Sequence, residues 1–252
     1  LVLQGILVVA VVVALSLVGL WLVHRRIPPE RRRGHNDVAG YVYDVIAVVY
    51  GVTLAFVLVA AWERFDETRQ IVAQEANDLM DLYGAVGALA EPTRDEVRER
   101  IRAYARATLE HEWKTIGIGH TSPAAEAEIR GILRALQEAE PQGFVQQAWY
   151  GEALDRLDDL GDSRRMRLLG SRNRLPTAMW VMLIAGAVLT IGFSFLFGVS
   201  DVRAHTVMVA VLAGLIALVI YLITALERPF EGVIRLETEG FEQIVGQSDG
   251  ST

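Results

Sequence analysis

No cysteine occurs in the 252 residues of this sequence, which excludes disulfides, thiol nucleophiles and cysteine-ligated zinc. Lysine is nearly absent too, because Lys114 is the single lysine among 24 basic residues. No basic face with interleaved aromatic residues occurs, so no nucleic-acid partner is expected. The motifs GxSxG, GxGxxG and HExxH and the P-loop are also missing. We therefore expect no enzymatic activity and no cofactor.

Histidine is scarce and scattered. The five histidines are His24, His35, His111, His120 and His205. None of them shares a helical face with a second histidine or a carboxylate at a spacing typical of metal ligands. The sequence therefore predicts no metal site.

Hydrophobic residues, by contrast, make up 52 % of the chain and occur in long blocks. A helix needs about 20 mostly apolar residues to cross a bilayer. Four blocks reach that length, at 1–23, 40–62, 175–199 and 205–226. The first block is expected to be a retained span rather than a signal peptide, because its apolar core is too long and its basic flank follows it. The sequence predicts an all-α membrane protein with four transmembrane helices.

Between the second and third blocks lies a polar segment whose apolar residues recur at helical spacing. We expect the second span to continue into it without a break. Further helices are predicted from Thr93 through Trp113, from about 124 to 138 and from about 143 to 161, with a loop at 117–123. The predicted domains are a transmembrane hairpin at 1–62, a helical extramembrane domain at 63–174, a second hairpin at 175–226 and a C-terminal tail at 227–252, whose end is expected to be disordered.

The second span carries the residues that we single out as candidates. Ala47, Gly51 and Ala55 recur every four residues, and such a stripe of small side chains lets another backbone approach closely. Asp44 lies near one membrane face, where it is expected either at the interface beside an aromatic belt or at a pore mouth. The pore-lining candidates are Asp44, Ala47, Gly51, Ala55, Leu58 and Trp62.

Two glutamates beyond the span are candidates for a ring of charge around an oligomer axis, Glu63 and Glu75. Glu75 lies among the apolar residues Ile71, Val72 and Leu79 on the predicted helical continuation. A solvated face residue is the plainer interpretation of Glu75, and the charge ring is the functional one.

The arginines give conflicting indications of membrane orientation. We expect a protein integral to the cell (inner) membrane. The linker at 24–39 carries five of the arginines, which by the positive-inside rule places it on the cytoplasmic side. A second cluster at 164–174 must lie across the membrane from the first if four spans exist. We give the short linker more weight, because charges attached to a long domain count less.

Three segments carry a family resemblance: Trp62-Glu63-Arg64-Phe65, Gln74-Glu75-Ala76-Asn77-Asp78-Leu79 and Leu226-Glu227-Arg228-Pro229-Phe230-Glu231-Gly232. With the order span, span, helical insert, span, span, the chain resembles the largely bacterial bestrophin-like membrane proteins. The resemblance implies a relationship to pentameric anion channels whose second span lines the pore and whose helical domain is cytosolic. The second span departs from bestrophins in having one deep aromatic residue, Phe56.

The sequence therefore favours a homo-oligomeric ion channel in the lipid bilayer, conducting inorganic ions and lined by the second span. The alternative is a membrane-anchored scaffold or sensor whose helical insert binds a ligand or a partner protein.

Overall fold

A computed structural model describes residues 2–28, 32, 34–116, 121–171, 174–230, 234 and 236–246. These residues form helices and connecting segments, and no strand occurs among them. Residues 117–120 of the predicted loop at 117–123, and residues 247–252 at the end of the predicted tail at 227–252, lie outside the described residues. The nine α-helices of the described part are α1 Val2–Arg26, α2 Asn36–Ala85, α3 Thr93–Ala107, α4 Trp113–Thr115, α5 Pro123–Gln137, α6 Gly143–Gly170, α7 Thr177–Ser194, α8 Val202–Leu226 and α9 Glu239–Gly246.

Four of these helices, α1, α2, α7 and α8, are long and apolar enough to cross a membrane. The predicted all-α fold with four transmembrane helices is therefore confirmed. The predicted continuation of the second span is confirmed as well, since α2 runs unbroken for 50 residues. At 1.5 Å per residue such a helix is about 75 Å long.

Two helix ends differ from the prediction by five residues or more. The third span, predicted to reach 199, ends at Ser194, because the chain then turns and its carbonyl groups bind other residues. Helix α6, predicted to end near Gly161, continues to Gly170. Gly161 is tolerated inside that helix, since a glycine weakens a helix without having to end it.

The described chain forms two compact units. The membrane unit comprises 1–64, 175–227 and 232–234, and the helical unit comprises 65–174, 228–231 and 235–252. The predicted domain boundaries stay predictions, because compactness does not show that either unit folds alone.

Glycines bring the helices of the membrane unit into close contact. A Cβ built at Gly5 of α1 would lie 2.6 Å from the ring of Tyr221, and one at Gly19 would lie 2.9 Å from the ring of Phe195. At Gly186 of α7 a Cβ would overlap the ring of Tyr50. These glycines act through the space that they leave, in agreement with the preference for small residues where transmembrane helices pack.

Polar side chains form hydrogen bonds with the segments that connect the helices of the membrane unit. The Asn36 amide donates to the Gly198 carbonyl at 3.1 Å, and its oxygen accepts from the Gly198 N–H at 2.9 Å. Arg32 donates to the Phe195 carbonyl at 2.5 Å. Glu227 accepts from the Leu175 N–H at 2.5 Å and from the Trp180 indole at 3.1 Å. The end of the fourth span is therefore tied to the beginning of the third.

The helical unit has its own core of fully buried apolar side chains from α2, α3, α5 and α6, among them Leu79, Leu82, Ile101, Ile132 and Leu160. The C-terminal helix α9 joins this core through Phe241 and Ile244. The Trp113 ring packs edge to face against Phe230 and Phe241, with centroids 5.3 and 6.0 Å apart. Phe230 of the Pro-Phe segment is therefore a packing residue.

We expect Gly186→Ala to destabilise the membrane unit, because its new methyl group overlaps the Tyr50 ring. Overpacking of this kind costs about 1–3 kcal/mol, measurable as a lower free energy of unfolding in detergent. Gly192→Ala is the matched control on the same helix, since no described atom lies within 4 Å of a Cβ there. Equal stability of the two variants would contradict this packing.

Candidate functional site

The membrane part of α2 has a broad face that contacts no other described helix. Its large exposed side chains include Val45, Val48, Val52, Phe56 and Val59, which are 50–72 % exposed. The opposite face is packed: Tyr50, Val57 and Ala61 are buried, and the Tyr50 hydroxyl donates to the Leu183 carbonyl at 3.2 Å. One side of α2 is thus fixed in the membrane unit, and the other is free for lipid, water or another subunit.

The six pore-lining candidates lie on the flank between the packed side and the side that carries the large exposed side chains. Asp44, Gly51, Ala55 and Trp62 are exposed, whereas Ala47 and Leu58 are half-buried at its edge. At about 100° per residue, all six fall within an arc of about 80°. No described atom lies within 4 Å of a Cβ built at Gly51, so the small residues leave open space along this stripe. Their pore-lining role stays a prediction.

Residues 6–22 of α1, 178–189 of α7 and 207–222 of α8 expose apolar side chains only, and so do residues 45–61 of α2. Exposed ionisable side chains lie near both ends of the membrane part of α2, at Asp44 and Glu63, as they do at Arg25 on α1 and Arg203 on α8. An aspartate that faces hydrocarbon costs a few kcal/mol. The surroundings of α2 therefore include a polar phase next to Asp44.

Within the helical unit, Glu75 is part of a buried ion network that we define as Glu75, Tyr104, Glu112, Arg164 and Arg167. Arg167 Nε lies 2.5 Å from Glu75 Oε2, and Arg167 Nη2 lies 3.1 Å from Glu75 Oε1. The same Nη2 lies 3.0 Å from Glu112 Oε2, and Arg164 Nη2 lies 3.0 Å from Glu112 Oε1. Tyr104 donates its hydroxyl to Glu75 at 2.5 Å.

The network balances two carboxylates against two guanidinium groups. Arg167, Glu75 and Glu112 are fully buried. Burial opposes the charge of Arg167, but the Glu75 carboxylate beside it raises the pKa of Arg167 above its ordinary value. Burial alone would raise the pKa of Glu112 as well, but Arg167 and Arg164 lower that pKa below its ordinary value. Both groups are therefore charged at neutral pH.

Burial, followed by the Glu75 carboxylate, raises the pKa of Tyr104 well above its ordinary value. The phenol keeps its proton and acts as a donor to Glu75. A tyrosine in this position satisfies a buried carboxylate without adding charge, which is the condition for burying such groups without a large loss of stability.

The network joins four helical segments of the helical unit. Glu75 belongs to α2, Tyr104 to α3, Arg164 and Arg167 to α6, and Glu112 to a π-helical turn, Thr108–Glu112, that follows α3. This turn lets Glu112 Oε1 also accept from the backbone N–H of Ser122, at 3.1 Å, next to the start of α5. π-Helical turns are frequent at functional positions, and this one serves to place a carboxylate between two arginines.

The structure corrects the plainer interpretation of Glu75. Its side chain is fully buried rather than solvated. Oε2 accepts from Arg167, and Oε1 accepts from both Arg167 and Tyr104. Its charge is neutralised inside the chain rather than presented to an axis. Glu63 is exposed, and its place in a charge ring stays a prediction.

Sequence reasoning missed the partners of Glu75. It grouped the arginines at 164–167 with those that lead into the third span, although all three belong to the helical unit and two of them, Arg164 and Arg167, are buried in it. Their spacing of three residues, which puts Arg164 and Arg167 on one face of α6, is the signal that could have revealed them. Asp78 is a further buried acid of the Glu-Ala-Asn-Asp segment, and it accepts from Ser163 Oγ at 2.5 Å.

The described residues contain no group of three or more histidine, aspartate or glutamate side chains that could hold a metal ion. Every charged member of the buried ion network has an opposite charge within hydrogen-bonding distance, so removing one member leaves another charge buried without its partner.

Comparisons with known proteins agree with this architecture. The family described as the bestrophin-like domain matches residues 10–241. A point variant of a bacterial bestrophin homolog from Klebsiella pneumoniae is similar in structure, with a TM-score of 0.70 at 14 % identity over 96 % of this chain and 98 % of the other. A crystal structure of a variant membrane protein gives a TM-score of 0.68 at 15 % identity over 95 % and 99 %. No curated protein matches the chain.

We expect Arg167→Met to destabilise the helical unit by about 3–5 kcal/mol, because it leaves two buried carboxylates facing one remaining guanidinium. The measurement is the free energy of unfolding of the full chain in detergent, followed by circular dichroism.

Arg165→Met is the matched control. Arg165 lies two residues earlier on the same helix, and its bond to Asp162 is between side chains that are 70 % and 76 % exposed. Exposed ion pairs contribute little, so stability should hardly change. Similar losses in both variants would refute a special role for the buried ion network.

Proposed function

Since the chain belongs to the bestrophin-like family of membrane proteins, we propose that it forms an oligomeric ion channel whose pore is lined by the membrane part of α2. The observation that carries the proposal is the exposed stripe of α2. Asp44, Gly51, Ala55 and Trp62 lie on it, and none is covered by the other described helices.

Several copies of the chain arranged around an axis would place this stripe toward the centre. Small residues at Gly51 and Ala55 would keep the helices from filling the axis, and valine side chains beside them would line a narrow path. Each α2 is held in its own subunit by the buried Tyr50. Its position therefore does not depend on the pore being formed.

The choice of ion depends on the exposed charges near the two ends of the membrane part of α2. Asp44 and Glu63 are both exposed, and 19 residues separate them, which is about 28 Å along a helix and about 100° around it. Rings of carboxylates favour cations, whereas the family resemblance implies anions. We propose that the two carboxylates set the ratio of cation to anion permeability.

A second candidate function rests on the helical unit. Phe144 is 85 % exposed, Val145 65 % and Trp149 45 %, near the start of α6. Exposed aromatic residues on an extramembrane surface are typical of protein-binding sites. A membrane-anchored scaffold or sensor that binds a partner through this surface is the alternative, and it predicts a protein that does not conduct.

The channel can be tested by cysteine accessibility, since the natural chain contains no cysteine that would react. In planar bilayers, a charged, water-soluble methanethiosulfonate should reduce the current through Gly51→Cys and Ala55→Cys. Val211→Cys and Leu215→Cys are the controls, because these exposed residues lie on α8 beside purely apolar neighbours. A silent protein, or equal modification of all four variants, would overturn the assignment of α2 to the pore.

The selectivity proposal has its own test. Asp44→Asn and Glu63→Gln should each shift the reversal potential in a salt gradient toward greater anion permeability, because each removes a negative charge from one end of the membrane part of α2. Asp155→Asn removes the same charge from an exposed position of α6 and should leave the potential unchanged. Unchanged potentials in all three conducting variants would contradict the proposal.

A further inference from the structure

Two histidines from distant parts of the chain lie against each other inside the membrane unit. His24 belongs to the last turn of α1, and His205 belongs to the first turn of α8. Their rings are inclined by 61°, with centroids 5.3 Å apart. His205 is 3 % exposed, whereas His24 is half-buried. The pair therefore lies where the end of the first span meets the beginning of the fourth.

The backbone carbonyl that each ring contacts fixes its tautomer. His205 Nε2 lies 3.0 Å from the Ser194 carbonyl oxygen. His24 Nδ1 lies 3.0 Å from the Leu20 carbonyl oxygen. A carbonyl oxygen can only accept, so both of these nitrogens carry a proton. In the neutral rings the other two nitrogens, His205 Nδ1 and His24 Nε2, are lone-pair acceptors, and both are buried without a hydrogen-bond partner.

A single proton removes this mismatch between two neighbouring acceptors. A buried acceptor without a partner has lost the hydrogen bond that water would supply. One proton on either free nitrogen makes that nitrogen a donor, while the nitrogen of the other ring stays an acceptor. When the facing nitrogens of two imidazoles are about 3.0 Å apart, the ring centroids are separated by roughly the distance found between His24 and His205. The rings therefore have to turn, but not to approach each other.

The surroundings decide which ring takes the proton. His205 is the more deeply buried ring, and Arg32 binds a carbonyl one residue from the one that holds His205. A second positive charge beside a guanidinium is unfavourable in a low-dielectric region. His24 lies at the C-terminal end of α1, where the helix dipole favours a positive charge. His24 is therefore the ring that becomes cationic, and His205 is the neutral acceptor.

No counter-ion holds either ring within the described chain, because the hydrogen bonds of both rings go to backbone carbonyl groups. Asp201, the nearest acid in the chain, accepts instead from backbone N–H groups at the start of α8. Helix α7 carries no ionisable side chain. The described ionisable groups on the other elements around the pair are Arg25 and Arg26 of α1, Arg32 and His35 of the linker, Asp37, Tyr43 and Asp44 of α2, and Arg203 of α8.

We propose that His24 and His205 form a proton-operated link between α1 and α8. Imidazole ordinarily titrates at about pH 6.5. On the acid side of its titration, His24 is cationic and its Nε2 donates to Nδ1 of neutral His205. On the alkaline side both rings are neutral and the link is absent. Both carbonyl hydrogen bonds persist in either state, because the nitrogens that form them keep their protons. The link does not depend on ion conduction.

The first test observes the nitrogens directly, in solid-state spectra of the chain labelled with ¹⁵N-histidine in lipid bilayers. At about pH 8, each ring of the pair should show one protonated and one unprotonated nitrogen. At about pH 5, both nitrogens of His24 should be protonated, and the unprotonated Nδ1 of His205 should move upfield as it accepts a hydrogen bond. Signals are assigned by their loss in His24→Phe and His205→Phe. Two cationic rings, two unchanged rings or a cationic His205 at the lower pH would each overturn the proposal.

The second test measures the link as a coupling between the two positions. The free energy of unfolding in detergent is compared for the unmodified chain, His24→Phe, His205→Phe and the double variant. Phenylalanine keeps an aromatic ring but can neither donate nor accept. The link is present at low pH and is lost as His24 releases its proton. The coupling should therefore raise the folded-to-unfolded ratio about tenfold at about pH 5 and hardly change it at about pH 8.

Another histidine of the membrane unit provides the matched control. His35 lies in the linker and is exposed, so His35→Phe should leave the pH dependence of stability as it is in the unmodified chain. Coupling between His24 and His205 of the same size at both pH values would refute the link. So would a change in pH dependence that His35→Phe reproduces.

Discussion

Hydrocarbon offers no hydrogen-bonding partner to a peptide group, and this constraint governs every element of the membrane unit. Backbone groups are satisfied inside four helices, and polar side chains return to nearby carbonyl groups. Ser16 donates to Val12, Thr53 to Val49 and Thr224 to Ile220, each one turn earlier on its own helix. Few polar side chains are then left to form hydrogen bonds between the helices. Close packing at glycine residues holds the helices together instead, as at Gly186 against Tyr50.

The helical unit, which we expect to lie in water, meets the opposite condition, because an apolar core alone could drive its folding there. It nevertheless buries four charges around Arg167. Such a network gains little over an apolar core, but it strongly penalises any arrangement that separates its members. Three segments that lie far apart in the chain must therefore pack in the one arrangement that pairs these charges. The π-helical turn that carries Glu112 shows how far the backbone adapts to that requirement.

Properties that depend on local sequence could be predicted, and those that depend on distant pairing could not. Long apolar blocks determine spans, and uninterrupted apolar periodicity predicted the extension of α2 to Ala85. Glu75 and Arg167, however, lie 92 residues apart, and His24 and His205 are separated by 181 positions. Nothing in the spacing of either pair indicates contact. Gly161 misled for a related reason: whether a glycine ends a helix is decided by what packs around it, and the next turns of α6 are held by Arg164 and Arg167.

Helix α2 has residues in both the membrane unit and the helical unit. Beyond residue 65 its polar groups are satisfied by the chain itself, as Glu75 and Asp78 are. Before residue 65 its exposed side chains include Asp44 near the start of the span and Glu63 just after it. Small exposed residues alone do not distinguish α2 from a helix that meets only lipid, since Ala14 of α1 and Ala185 of α7 are exposed as well. What Gly51 and Ala55 would allow is the close approach of the same helix from a neighbouring subunit. That approach is what the oligomer that we propose requires.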